Sequence, residues 1–514
     1  MAFTSCLQGG NRSWFMRRIH HFLKNDWYVL VILILSIFPV FLYLGNLPLS
    51  SWDESLFAMR AYHMLEHGEV LFNFQEFESY KDHSNRKPFL TTLIQVGFWK
   101  LLGISELNLR LPVAFAFLIL LFVPAFFRKR LNLDRHAIFS YALLLLTSGS
   151  MIRNHVVRTG DQDIFVCLYM FLAVIFYYLY LNNTIKQRVK FRNLFFFFTF
   201  CTLFTKTIFA FMFFPGLFIY TLYKRRLFDV LRDKWVYLSG ALILVLFIFY
   251  NLYMNQYNPY FISGFIDHAL GRYGVVVDGQ EYKGFSYYWS ALYQKGFSWF
   301  FYLLILSPFL IFLKSDYKFK DLQLFLWILG LSFIFIISFS KTKTFWYLVP
   351  VFPVVALIIG LNINYLTNRL FNFIGLKSKA ALPAIFIGLM FFLPYKSVMS
   401  KVFEHKYLPY YDFELEGAMV NKIEKELPEE KDYTILIRNV NPQTSMYVTW
   451  FNELKGYDLK IDIDPVESYS SGQKVLSCNY GLSEKIRRNY TYNSISDWRS
   501  CHLMEIQSEF VDLP

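Results

Sequence analysis

The chain has 514 residues, of which 55% are hydrophobic and 21% aromatic, and carries a formal net charge of +13. That much apolar surface excludes an ordinary soluble globular protein. The Lys and Arg residues lie in short clusters between apolar runs, which marks them as topology signals and excludes a nucleic-acid partner.

The apolar runs are about twenty residues long, the length that crosses a hydrocarbon core of about 30 Å. In chain order, residues 1–26 form a cytoplasmic N-terminus with Arg17, Arg18 and Lys24. The first span is Trp27 to Leu47, too long and without the small-residue site of a cleavable signal peptide. A first external loop follows over residues 48–108. Within it Phe89 to Leu102 lies at the interface or re-enters, so that Leu109 to Phe127 is the second span. Ala137 to Ile152 and Ile164 to Leu181 come next. Leu194 to Leu222 is a hairpin of two short helices broken at Thr205-Lys206-Thr207, because one straight helix would hold Lys206 in mid-membrane. The remaining spans are Trp235 to Met254, Phe297 to Leu313, Leu322 to Ser338, Phe345 to Tyr365 and Ala380 to Tyr395.

This count of about eleven crossings puts every basic cluster on the cytoplasmic side: 128–130, 186–192, 224–226, 314–320 and 369–379. The transmembrane region is residues 27–396, and residues 397–514 form a small soluble α/β domain on the opposite side. That domain has an amphipathic helix near Phe413 to Leu427 and strands at Thr434 to Arg438 and Leu459 to Asp464. Of the five cysteines, Cys167 and Cys201 fall in apolar runs. Cys478 and Cys501 lie in the terminal domain, where a disulfide and two free thiols are both open.

The external face should be poor in cations, yet it receives Lys81, Arg86, Lys87, Arg153, Arg158, Lys206, Arg272, Lys341 and Lys343. It also receives Asp53-Glu54, just after the first span, and Asp161-Gln162-Asp163, just before the fourth. Singly, each has a plain reading as a helix cap or an interfacial anchor. Jointly, carboxylates beside several cations suit acid-base chemistry next to a phosphate.

The sequence carries W-D-E-S-L-F-A-M-R-A at 52–61, R-K-P-F-L at 86–90, L-R-L-P at 109–112 and D-Q-D-I-F at 161–165. Further on are F-T-K-T at 204–207, D-H-A-L-G-R-Y at 267–273, Y-Y at 287–288 and S-K-T-K-T-F-W-Y-L-V-P at 340–350. In this order and on one membrane face they resemble the C-type glycosyltransferases that use lipid-linked sugars. The branch most resembled is the lipid A aminoarabinose transferases, related to protein O-mannosyltransferases. The chain departs from the family pattern at Phe89, where a second proline is usual, and at Thr207, where a glycine is usual.

The resemblance implies an all-α membrane bundle, with Asp53 as catalytic carboxylate, Asp163 as a second cavity acid and Glu54 beside them. It implies that Lys87, Arg272 and Tyr347 hold the donor phosphate with Lys206 nearby. Asp161, His268, Tyr288, Lys341 and Lys343 are further candidates; for the two lysines, interfacial anchoring is the plainer reading, and for His268 a helix cap. No cofactor is expected, a divalent cation at Asp161 and Asp163 being the alternative. The implied partners are a polyprenyl-phosphate sugar donor, a lipid, glycan or protein acceptor, and membrane lipids. The implied place is a bacterial inner membrane, with the site and the terminal domain facing the periplasm. Two rival functions use the same charges: a lipid or solute transporter or flippase, and a polymerase or ligase of lipid-linked glycans. The gathering of charge at one face, without a repeated half, favours an enzyme over a transporter.

Overall fold

The computed structural model describes residues 26–51, 53–68, 87–152, 155–257, 259, 261–266, 271–276, 282–314, 317–375, 381–404, 415–438, 441–463 and 468–509. The expected N-terminus up to residue 25, Trp52, Lys81, Arg86, Arg153 and the Asp267-His268 pair lie outside these residues.

Helix α1 (Trp27–Phe41) is the first apolar run, and it ends earlier than the expected Leu47. Its last carbonyls and those of the following turn are taken up by two arginines. Arg158 donates to Pro39 O (2.9 Å) and Leu42 O (2.8 Å). Arg110 donates to Leu44 O, Leu47 O and Pro48 O at 2.7 to 2.8 Å. Arg158, one of the unexpected external cations, is thereby part of the scaffold.

Helices α2 (Asp53–Glu66), α3 (Leu90–Leu102) and α4 (Glu106–Phe126) follow. At 1.5 Å per residue α3 is about 20 Å long, too short to cross. Its first amide bonds Phe204 O, Gln95 at its middle donates to Gly160 O, and Trp99 near its end donates to Ser105 O. All three partners border the same end of the bundle, so α3 lies along that end. By its length and placement α3 matches the expected interfacial segment.

Helices α5 (Arg135–Leu146), α6 (Asp163–Asn182) and α7 (Ile185–Leu203) come next. The chain then breaks at Phe204-Thr205-Lys206, makes a 3-10 turn over Thr207–Phe211 and continues as α8 (Phe214–Tyr223). The two ends of α6 show how these helices run. At its start Asp163 meets Lys206; at its far end Tyr177 bonds Thr221 and Tyr178 bonds Asp321. The run of 194–222 is therefore a hairpin with its bend at Lys206, as the buried-charge argument requires.

The chain continues through α9 (Leu227–Arg232), α10 (Lys234–Tyr257), α11 (Phe261–Ile266), the single turn α12 (Arg272–Gly274) and α13 (Tyr287–Ala291). A π segment and a 3-10 segment carry α13 on into α14 (Leu306–Leu313), so the expected Phe297 to Leu313 span starts ten residues earlier, at Tyr287. Next come α15 (Lys320–Ser338), α16 (Phe352–Phe373), which a 3-10 segment extends back to Phe345, and α17 (Ala381–Phe403). Helix α16 approaches α5 at Gly360, where a Cβ would stand 2.8 Å from Ala137 O.

Among the described residues seven helical runs are long and apolar enough to cross a membrane: 106–126, 163–182, 234–256, 287–313, 320–338, 345–373 and 381–403. The other four expected crossings fall on α1, α5, α7 and α8, which are shorter or carry charge. Helix α5 alone is about 18 Å long.

The terminal domain comprises α18 (Leu415–Glu426), β1 (Asp432–Ile437), α19 (Pro442–Lys455), β2 (Asp458–Ile463), β3 (Lys474–Ser477), α20 (Tyr480–Asn489), β4 (Tyr490–Trp498) and β5 (Cys501–Glu509). The expected helix and two strands are present; the remaining three strands and two helices carried no pattern strong enough to be read. The sheet order is β2-β1-β3-β5-β4, parallel from β2 to β3 and antiparallel thereafter.

Alternation along β1 sorts the layers. Ile435 and Ile437 face α18 and α19, while Leu436 faces α20 through Leu482 and Ile486. The first of these cores does not stop at the domain edge, since it also takes in Met59 and Tyr62 of α2, Trp99 of α3 and Leu109 of α4. Cys478 and Cys501 form a disulfide joining the end of β3 to the start of β5, which closes the question left open by the sequence.

Candidate active site

Asp53 and Glu54 open α2, where carboxylates favour the positive end of the helix dipole. A helical step of about 100° separates them, and they have opposite surroundings. Glu54 is fully buried. Its Oε1 accepts from Arg110 Nε (2.6 Å) and Gly160 N (2.6 Å), and its Oε2 from Arg110 Nη2 (2.9 Å) and Ser50 N (2.6 Å). Both oxygens are committed, so Glu54, expected to tune Asp53 as its neighbour, forms a structural knot of its own. It ties α2, α4 and the 160 loop together.

Asp53 faces the other way, its side chain 40% exposed and ion-paired with Lys87. The Lys87 ammonium also stands 4.8 Å from the Phe57 ring, one turn along the same face of α2. Burial opposes ionisation of Asp53, but Lys87, with His155 and Lys206 beyond it, holds the carboxyl well below its ordinary range. Asp53 is therefore an anion at neutral pH.

The loop before α6 supplies the rest. His155 adopts a positive φ of 64°, stacks on Trp346 at 4.8 Å between ring centres, and places Nδ1 3.4 Å from Asp161 Oδ2. Burial would lower its pKa; Asp161, helped by Asp53 and Asp163, outweighs this and pushes it up to about 9. Asp161 Oδ2 also accepts from Thr159 Oγ1 at 2.5 Å, while its buried Oδ1 finds no hydrogen-bond partner among the described residues. Asp163 pairs with Lys206 at 2.5 Å. Lys206 in turn stands 4.8 Å from the Phe209 ring and 5.5 Å from that of Tyr347.

The fold thus brings Asp53, Lys87, Asp161, Asp163, Lys206 and Tyr347 to one end of the bundle, from elements up to about 300 residues apart. The other candidates fare differently. The backbone of Arg272 is in α12, but its side chain lies outside the described residues, as does His268. Tyr288 is fully buried, its ring 5.1 Å from that of Tyr287. Lys343 is buried and donates to Ser340 O in its own loop. Lys341 is exposed.

Three residues escaped the reading of the sequence. His155 belongs to none of the quoted motifs. Arg110 was quoted in L-R-L-P without a role. Arg60, in the tenth-residue reach of W-D-E-S-L-F-A-M-R-A, is 9% exposed and lies 5.8 Å from the Phe57 ring, so two cations flank that ring. The spacing of 53, 57 and 60 on a helix was the available signal.

The cation alternative also changes. Asp163 is turned to Lys206, whereas Asp53, His155 and Asp161 each offer a ligand atom, all within 4.8 Å of one another. Two carboxylates and an imidazole suit a zinc or manganese ion. Any such ion would compete with Lys87 for Asp53.

Residues 86–253 match the family model described as dolichyl-phosphate-mannose-protein mannosyltransferase. Over 93% of its length the chain superposes on 97% of ArnT from Cupriavidus metallidurans, solved with undecaprenyl phosphate, at a TM-score of 0.67 and 14% identity. The chain has the fold of the C-type glycosyltransferases. A more distant likeness is to the archaeal oligosaccharyltransferase AglB of Archaeoglobus fulgidus, solved with an inhibitory peptide and a dolichol-phosphate. There the TM-score is 0.53 at 11% identity, over 96% of this chain and 75% of that one. No curated protein sequence matches the chain. The resemblance of the motifs to C-type glycosyltransferases therefore holds in fold across the chain, and in sequence over the segment bearing Lys87, His155, Asp161, Asp163 and Lys206.

Proposed function

We propose that the chain transfers a sugar from a polyprenyl-phosphate donor to a lipid, glycan or protein acceptor at the external face of a bacterial inner membrane, with inversion at the anomeric carbon. The observation that supports this most is the site itself: one partly exposed, ionised carboxylate, Asp53, set among Lys87, Lys206 and protonated His155. The lipid phosphates held by solved proteins of this fold support the donor class. The disulfide in the terminal domain supports an oxidising, non-cytoplasmic side.

In this reading the acceptor oxygen attacks the anomeric carbon while the bond from that carbon to the phosphate oxygen breaks. The electron pair leaves with the phosphate. Asp53 orients a hydroxyl acceptor and takes its proton, a role worth about 10²- to 10⁴-fold in rate. The lipid phosphate passes from one negative charge toward two as it departs. Lys87 and Lys206 therefore gain attraction as the bond breaks, which is selective for the transition state. Tyr347 and Arg272 complete the phosphate cradle, and Asp163 holds Lys206 in place.

Purified Asp53→Asn should fold and bind donor but transfer no sugar, as followed by mass spectrometry of a polyprenyl-phosphate sugar and its acceptor. Because cations meet the leaving charge, chelation should leave the native rate unchanged. Normal transfer by Asp53→Asn would sink the mechanism.

A further inference from the structure

The first helix of the external loop is held along its length by one helix of the terminal domain. At the front of α2, Leu49 N donates to Tyr447 Oη at 2.8 Å, and Gln443 Nε2 donates to Leu49 O. Ser51 Oγ donates to Asn441 Oδ1 at 2.9 Å. At the back of α2, Glu453 Oε2 accepts from Tyr62 Oη at 2.8 Å and meets His67 Nε2 at 2.9 Å. The first turn of α19 thus grips residues 49–51 and its last turn grips residues 62–67, so the two helices run side by side in the same direction.

The front grip has the stronger chemistry. Both main-chain groups of Leu49 are satisfied by side chains nearly 400 residues away, in a place where water is excluded. Tyr447 Oη also donates to Glu106 Oε1 at 3.0 Å, and Asn421 Nδ2 donates to the same oxygen at 2.6 Å. Asn441 caps α19 by accepting from Gln443 N. At Gly417 a Cβ would stand 2.7 Å from Gln443 Oε1, so α18 closes directly behind that amide. On the other side of the same stretch, Arg110 holds Leu44 O, Leu47 O and Pro48 O. The segment leading into Asp53 is clamped from two sides, one clamp belonging to the membrane bundle and the other to the terminal domain.

We propose that α19 is a positioning splint for Asp53: Gln443, Tyr447 and Glu453 fix the entry and the axis of α2, and through them the terminal domain sets where the carboxylate stands opposite Lys87. This rests on the proposed transferase reading for its consequence in rate, but not for the splint itself. A shift of about 1 Å in a reacting group costs about 10²-fold in rate.

The test uses the full chain in lipid nanodiscs, with Tyr447→Phe combined with Gln443→Ala. Hydrogen exchange of peptides covering 49–66 should quicken about tenfold while α6 and α15 keep their protection. The kcat for sugar transfer should fall about 10- to 100-fold with donor KM within about twofold, since the donor phosphate is held by residues outside α2. If the double variant fails to fold, Glu453→Gln at the partly exposed far end serves instead, with faster exchange confined to residues 60–67. Unchanged exchange in α2 would overturn the splint, as would an unchanged kcat per folded molecule. A native protein with no transferase activity would defeat the proposed function, and the exchange experiment would still decide the splint.

Discussion

Two clusters of charge begin on adjacent residues of α2 and are built to opposite specifications. The Glu54 knot is dry, with carboxylate and guanidinium both fully buried and both oxygens of Glu54 bonded twice. The Asp53 cluster is partly wet: Lys87, Lys206 and protonated His155 share it with Asp53, Asp161 and Asp163, and Asp161 Oδ1 has no hydrogen-bond partner among the described residues. A closed network rigidifies because every group is satisfied, whereas an open one keeps capacity for a ligand. The same contrast repeats at the two ends of α6. The far end is stapled by Tyr178 and Tyr220 on Asp321 and by Tyr180 and Arg192 on Asp233, a set of ordinary tertiary bonds with no vacant carboxylate.

If the contrast is right, the largest effect belongs to the dry knot. Arg110→Met should cost about 3–5 kcal/mol, because it strands a buried carboxylate, and should be seen as loss of monodisperse protein after solubilisation. A variant as stable as the native chain would erase the distinction between the two clusters.

His155 supplies the next effect through pH. Its folded pKa of about 9 lies above the ordinary value of about 6.5, so its protonation stabilises fully below pH ~6.5. That stability, at most about 3 kcal/mol, is lost as pH rises through about 9. Thermal unfolding from pH 6 to 10 should therefore fall more steeply for the native chain than for His155→Gln. Parallel curves would remove the imidazolium from the cluster.

Lys87→Met tests the wet side. Transfer should drop about 100-fold, while the stability loss stays near 1 kcal/mol because Asp53 is partly exposed. A large stability loss with normal transfer would make Lys87 another scaffold residue. The smallest effect is expected of Lys341→Ala, which should change neither transfer nor unfolding, as suits an exposed anchor.

Much of this site was legible because a membrane turns sequence into geometry. Placing Lys206 at a helix bend and Lys87 before a helix too short to cross followed from charge and length alone, and α7, α8 and α3 run as that parity demands. Glu54 was not legible in the same way. As a carboxylate beside Asp53 it reads on paper as a neighbour that tunes Asp53; only the approach of α4 and the 160 loop commits it to Arg110 and Gly160. His155 was missed because its position depends on a loop with a left-handed residue, not on any repeat.

The terminal domain shows where the boundary between the two kinds of information lies. Its sheet could be glimpsed in short alternating runs, but short runs do not specify strand order, and β4 and β5 carry bulges that blur their alternation. Its grip on α2 through Gln443, Tyr447 and Glu453 could not be glimpsed at all.

The amino-acid sequence by itself determined which segments are apolar enough to enter lipid and where the chain turns back. Those outcomes depend on transfer free energies summed along consecutive residues. Only the tertiary structure decided which charges pair, which stay open and which helix braces α2. Hydrogen bonds and ion pairs act over about 3 Å, and partners separated by 50 to 400 residues meet only when the chain is packed.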